Sequence, residues 1–359
     1  MRLKAMLPLM IPALVAQAEP PMANFASFND WLGSDAHGVR IGADGRLKLA
    51  PSLRRVAQLP EGVVWAAIPD GTGGAYLSAG NEGKLFHYAG GQMKPLAQVK
   101  GGIVFAMVKL GPDLIVAPTG EGKLFRVTPA GDVKPFAEID AKMVWALGLH
   151  GSELMVAGGG EKGALLLLAR ENFSRRLAEL PEETAFTCMA SDGQGGLYLG
   201  SHGRGLLLHY SGVQTGDRLE TLYATGFEEV RSLVAQEGQL YIGVSNGLTT
   251  RFASGSLERR EGYLAEPGSS TKGAVIRMDK ERVPETLWQS NQAQVFALST
   301  WGGQLLVATG NRSRIFGIPM TDRGRDLEPF SVLQDLGTAQ ASALLKAGSD
   351  LMVVGSNPA

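Results

Sequence analysis

A unit of about 40 residues recurs along this chain, and no other feature limits the fold as much. Copies open on an apolar residue, followed in five of the seven by an aromatic, then turn, run through a short apolar strand and end in a Gly-rich loop. The copies begin at Val64-Trp65, Val104-Phe105, Val144-Trp145, Ala185-Phe186, Val230-Arg231, Val295-Phe296 and Ala341-Ser342, in steps of 40, 40, 41, 45, 65 and 46 residues. A second run repeats more tightly, as Leu114-Ile115-Val116-Ala117, Leu154-Met155-Val156-Ala157, Leu197-Tyr198-Leu199-Gly200 and Leu305-Leu306-Val307-Ala308. Glycine, 48 of 359 residues, is spread between these runs, which marks tight turns joining short strands. Gly and Asx turns break each apolar pattern before a helix could complete three turns.

A repeat of roughly 40 to 45 residues is the length of one four-stranded blade. The sequence therefore predicts an all-β fold, a seven-bladed β-propeller over residues 37–359. The last copy stops just after its second strand. Val39-Arg40-Ile41-Gly42 and Arg46-Leu47-Lys48-Leu49 flank the turn Ala43-Asp44-Gly45, a hairpin signal. These N-terminal strands are expected to complete the last blade and clasp the ring, unless the chain is truncated and continues past Asn357-Pro358. Residues 19–36 read as a linker, with Phe25, Phe28, Trp31 and Leu32 at the spacing of a short helix packed on the ring.

The sequence resembles secreted bacterial β-propeller proteins of the broad WD-repeat/NHL-like kind. The likeness rests on His37-Gly38-Val39, on Asp44 to Pro51, and on the recurring Val-Trp/Phe-Ala followed by Leu-Tyr-x-Gly and Gly-Lys-Leu. It departs from true WD repeats in having no Trp-Asp dipeptide. The resemblance implies the fold and, for function, the binding of a ligand or partner.

Residues 1–18 read as a cleavable export signal. Arg2 and Lys4 precede the apolar stretch Ala5 to Val15, and Ala16-Gln17-Ala18 fits a small-x-small cleavage site. That stretch is short of the roughly 20 apolar residues of a membrane span, so a soluble, monomeric, periplasmic or secreted protein is expected. A formal net charge of −1 with no basic run gives no electrostatic footprint for nucleic acid. The lone Cys188 lies in an apolar run, so no intramolecular disulfide forms and a buried structural thiol is expected.

Two sets of loops, those leading into each first strand and those between second and third strands, are expected to share one face around the channel mouth. They supply the candidate binding residues Glu61, Lys142, Glu183, Glu228, His202, Arg204, Asn311 and Arg312. The long fifth step places an insertion, residues 247–272, on that face, with Arg259, Arg260 and Tyr263 as further candidates; such insertions often carry function. The recurring aromatics Trp65, Phe105, Trp145, Phe186 and Phe296 are expected to pack between blades. No nucleophile–base pair or cofactor fingerprint stands out, and no cofactor is predicted. Ca²⁺ or another divalent cation is the one such group that converging Glu and Asn oxygens could hold. These features point to a non-catalytic module that binds a protein, peptide or glycan. The alternative is a metal-assisted hydrolase or lyase acting on a sugar or lactone at the channel mouth.

Overall fold

A computed structural model describes residues 27–31, 33–212, 216–246, 272–310 and 312–358, with side chains to 356. The leader, most of the insertion with Arg259, Arg260 and Tyr263, and Asn311 lie outside the described residues. In the N-terminal segment the described part is a single 3₁₀ turn, Phe28–Trp31.

Short antiparallel strands make up the rest, arranged as successive four-stranded sheets. β1 (Val39–Gly42) and β2 (Leu47–Leu49) come first. The first sheet is β3 (Val64–Pro69), β4 (Ala75–Ala79), β5 (Lys84–Ala89) and β6 (Gln92–Gln98). The second is β7 (Val104–Leu110), β8 (Asp113–Pro118), β9 (Lys123–Val127) and β10 (Val133–Glu138). The third is β11 (Met143–His150), β12 (Glu153–Gly160), β13 (Gly163–Arg170) and β14 (Phe173–Leu180). The fourth is β15 (Ala185–Ser191), β16 (Leu197–His202), β17 (Leu206–Tyr210) and β18 (Leu219–Ala224). The fifth is β19 (Glu229–Gln236), β20 (Gln239–Ser245), β21 (Gly273–Met278) and β22 (Pro284–Ser290). β23 (Val295–Trp301), β24 (Gln304–Thr309), β25 (Arg314–Pro319) and β26 (Ser331–Asp335) form the sixth, with helix α1 (Asp322–Leu327) between its last two strands. β27 (Thr338–Ala347) and β28 (Asp350–Pro358) pair with each other alone.

Burial explains this order. Second strands are enclosed between neighbouring sheets and are apolar almost throughout; β4 is buried at every residue. Fourth strands such as β6 are largely exposed or half-buried, whereas β26, covered by β1, is buried throughout. Each first strand lies against the next first strand, and β27 lies against β3. Short hydroxyl side chains stitch these seams. The Ser78 hydroxyl donates to the Val104 carbonyl (2.6 Å) and that of Thr187 to the Val230 carbonyl (2.6 Å). Ser245 Oγ accepts from the Val295 amide at 2.9 Å, and Ser356 Oγ accepts from the Val64 amide at 3.0 Å. The last bond joins the two ends of the array, across 292 residues of sequence.

Glycine just before a third strand has a steric reason in several units. Gly83 has φ +68°, and a Cβ there would lie 2.1 Å from the Val99 carbonyl oxygen; at Gly205 (φ +57°) it would lie 2.2 Å from that of Phe227. Third strands start where the exit of the fourth crosses close by, and only a residue without Cβ fits.

The N-terminal hairpin departs from expectation. β1 pairs with β26 of the sixth sheet, Ile41 opposite Val332, and not with the last unit. Ile41 is buried beside Phe316, Val332 and Trp288. Glu328, just after α1, pairs with both Arg40 and Lys48. Apolar burial and two ion pairs thus fix the hairpin on β26.

Candidate functional site

Every first strand carries a β-bulge near its start, one or two residues in for six of them and four residues in for β27. The register slips between Val64 and Ala66, Val104 and Ala106, Val144 and Ala146, Phe186 and Cys188, Val230 and Ser232, Val295 and Ala297, and Ala341 and Ala343. A bulge leaves one residue out of the ladder and re-aims its side chain. The residues so released are Trp65, Phe105, Trp145, Thr187, Arg231, Phe296 and Ser342. In the fourth unit the repeat is therefore offset by one from the sequence alignment. Phe186 takes the buried seam position that valine fills elsewhere, and Thr187 takes the bulge.

On one side the bulge residues form an aromatic arc. The rings of Trp65 and Phe105 meet edge to face with centroids 5.2 Å apart, and Phe105 stacks on Trp145 at 4.8 Å. The indole N–H of Trp65 donates to the Gly80 carbonyl (2.8 Å), which fixes its tilt. These three side chains are half-buried. They do not only pack between sheets as expected. With Ala66, Ala67, Ile68, Met107, Ala146 and neighbouring residues they line a cavity of about 240 Å³ in the channel, closed on another side by Ser342 and Ala343.

The other side is charged. Arg231 lies 5.7 Å over the Phe296 ring and pairs with Glu229 at 3.0 Å. Glu229 is buried, and its second oxygen lies 4.0 Å from His202 Nδ1. Glu183, also buried, accepts from the Ser201 hydroxyl (2.7 Å), the Arg204 amide (2.9 Å) and Arg204 Nε (2.7 Å).

The two loop sets do meet, largely by pairing within a unit. Glu61 lies 3.5 Å from Lys84, Lys142 lies 2.8 Å from Glu161, and Arg204 clasps Glu183. The Glu228 amide donates to Asn246 Oδ1 (2.9 Å). Arg312 donates to the Gly33 carbonyl (3.0 Å) and lies 3.3 Å from Asp35, so it holds the N-terminal segment. Among the described residues no group of three or more His, Cys, Asp or Glu side chains is placed to hold a metal ion. Cys188 accompanies the Thr187 bulge, 3.4 Å from the Val230 carbonyl, and burial pushes its thiol up to about 12. A thiol raised in this way is mostly protonated at neutral pH, which lowers its reactivity, and the side chain is half-buried where full burial was expected.

The sequence reading assigned Trp65, Phe105 and Trp145 to packing between blades and gave Arg231 no role. The available signal was the mixture at one repeat position. A site that takes Trp and Phe in some copies, but Arg and Ser in others, is not a uniform packing seam.

No family model matches the sequence, and no curated protein matches it significantly. Among solved structures, the chain is similar to streptogramin B lyase, with a TM-score of 0.59 at 11% identity, over 83% of this chain and 92% of that one. It is also similar to the extracellular domain of the putative hybrid two component system BT4673 from B. thetaiotaomicron, with a TM-score of 0.57 at 14% identity. That match covers 84% of this chain but only 38% of the other. A computationally designed protein, Ika8, superposes with a TM-score of 0.52 at 11% identity, over 82% of this chain and 81% of that one. No helix among the described residues is long and apolar enough to cross a membrane. At these identities the likeness is one of fold alone, and it places the chain in the broad β-propeller class.

Proposed function

We propose that this protein is an exported, monomeric seven-bladed β-propeller that binds a protein, peptide or glycan partner at the mouth of its channel, without catalysing a reaction on it. The observation that carries this reading is the aromatic arc of Trp65, Phe105 and Trp145, half-buried and opening onto a cavity with no charged side chain in its wall. Partly exposed aromatics beside a concavity are the usual anchors of recognition. The carboxylates Glu183, Glu229, Glu61 and Glu161 are engaged with Arg204, Arg231, Lys84 and Lys142 respectively. That engagement favours binding over acid–base chemistry. A closed ring of seven is supported by the Val64–Ser356 bond, which copies the Val295–Ser245 bond of an internal seam. Export is supported by the leader at Arg2 to Ala18 and by an extracellular domain among the structural neighbours.

The test is a glycan-array and peptide-display screen of the mature chain, repeated with Trp145→Ala. Binders that lose at least about tenfold in affinity on that substitution support the reading. Binders indifferent to both Trp65→Ala and Trp145→Ala, or no binder at all, would overturn it.

A further inference from the structure

We infer that the channel cavity takes a single uncharged aromatic side chain presented by a peptide or protein partner, an inference that rests on the binding reading above and selects within it. Size is the first argument. A space of about 240 Å³ is smaller than the roughly 300–1,000 Å³ of pockets that enclose drug-sized ligands. It suits one ring, not an oligosaccharide.

Wall chemistry is the second. Behind the arc the side chains are Ala66, Ala67, Ile68, Ala106, Met107, Ala146, Leu147 and Ala343, with one hydroxyl, Ser342, which donates to the Val354 carbonyl at 3.3 Å. A pyranose placed here would lose water from several hydroxyls and find no Asp, Asn or Arg side chain in exchange. A charged ligand would be desolvated with no countercharge in the wall. An aromatic ring has neither problem. It can extend the series already built by Trp65, Phe105 and Trp145, which contains both an edge-to-face and a stacked contact. Met107 adds a polarizable sulfur of the kind that packs well on ring edges.

The third argument selects a peptide as the source. Among the described residues β3, β7 and β11 are each the end member of their sheet, so no further strand is paired along their channel-facing edges. Backbone N–H and C=O groups along those edges can meet the amides that flank a side chain on a peptide. A free ring molecule offers no such groups.

The experiment uses the mature chain and four probes: N-acetylphenylalanine amide, N-acetylleucine amide, benzyl alcohol and methyl β-glucoside. Binding is read by quenching or enhancement of protein tryptophan fluorescence, since Trp65 and Trp145 border the cavity. The phenylalanine amide should saturate the signal and bind at least tenfold tighter than the leucine amide, the alcohol or the glucoside. Ala67→Leu, which fills the cavity and leaves the arc in place, should weaken it at least tenfold. Ala146→Leu serves as a second filling variant, and the melting temperature of each verifies folding. Several results would overturn the inference. Binding of the phenylalanine amide could be absent, or unchanged in both folded filling variants. Benzyl alcohol could bind equally well, which would refute a peptide source. Tighter binding of methyl β-glucoside, lost in Trp145→Ala, would sink the aromatic ligand but leave the channel-mouth reading standing. Screen binders that ignore Trp65 and Trp145 would remove both.

Discussion

Replacing Glu183 by alanine should destabilise the protein by about 3 kcal/mol and leave partner binding unaltered once the protein is folded. The carboxylate is 1% exposed and accepts three hydrogen bonds. Two of the donors differ in what truncation costs them. The Arg204 guanidinium is 34% exposed and already near Glu182, so it can turn to water, and its bond adds little. The Arg204 amide and the Ser201 hydroxyl have no such route. Ser201 is fully buried, and its oxygen is already used as acceptor by the Leu206 amide at 2.8 Å. Two charge-assisted bonds at about 1.5–3 kcal/mol each, reduced where water fills the vacated space, give the figure of about 3 kcal/mol. The contrast is Lys142→Ala. Its 2.8 Å pair with Glu161 has side chains 67% and 74% exposed, a class of interaction worth about 0–1 kcal/mol. Equilibrium unfolding in urea separates the two. With a slope of about 3 kcal/mol per molar, Glu183→Ala should lower the midpoint by about 1 M and Lys142→Ala should barely move it. A shift below about 0.3 M for Glu183→Ala, or equal shifts for the two, would refute the view that this carboxylate is a structural clasp.

Two further outcomes are expected. Asp70 sits in a turn where burial alone would raise its pKa, but the amides of Thr72 and Gly74 and the His87 ring outweigh burial and bring it from 3.8 to about 2. A carboxyl depressed in the folded state stabilises above its unfolded pKa and loses that contribution as pH falls through the folded value. Asp70→Asn should thus flatten the decline in melting temperature between about pH 4 and pH 2; an unchanged acid profile would count against it. Ile41→Ala should cost about 2–4 kcal/mol, because the side chain is 2% exposed beside Val332 and Phe316. A loss under about 1 kcal/mol in the same urea assay would mean that the hairpin on β26 adds little to stability.

Much of the architecture could be read in advance because burial acts on repeating units. A second strand enclosed on both faces must be apolar in each copy, and glycine recurs at the start of the third strand where the exit of the fourth lies against it, as at Gly83, Gly163 and Gly205. What was not legible depends on long-range choice. β26 and β28 are both outermost strands of their unit with apolar residues, and nothing within Val39–Leu49 selects between them. Glu328, which pairs with Arg40 and Lys48, lies about 280 residues away. The charged side chains of the two loop sets pair within a unit, but that clasping was hidden by treating each residue singly. Glu61 with Lys84, Lys142 with Glu161 and Glu183 with Arg204 are opposite charges separated by half a unit. Taken in pairs, that spacing predicts intrablade contact. The aromatic arc was obscured by a one-residue slip. Aligning Phe186 with Trp65 put five aromatics at the position and weighted the reading toward a seam. With Thr187 in place of Phe186, beside Arg231 and Ser342, the position is too varied to be core and too regular to be surface. A bulge accounts for both properties: the backbone is constrained in every unit, and the released side chain is left free to diverge toward a ligand.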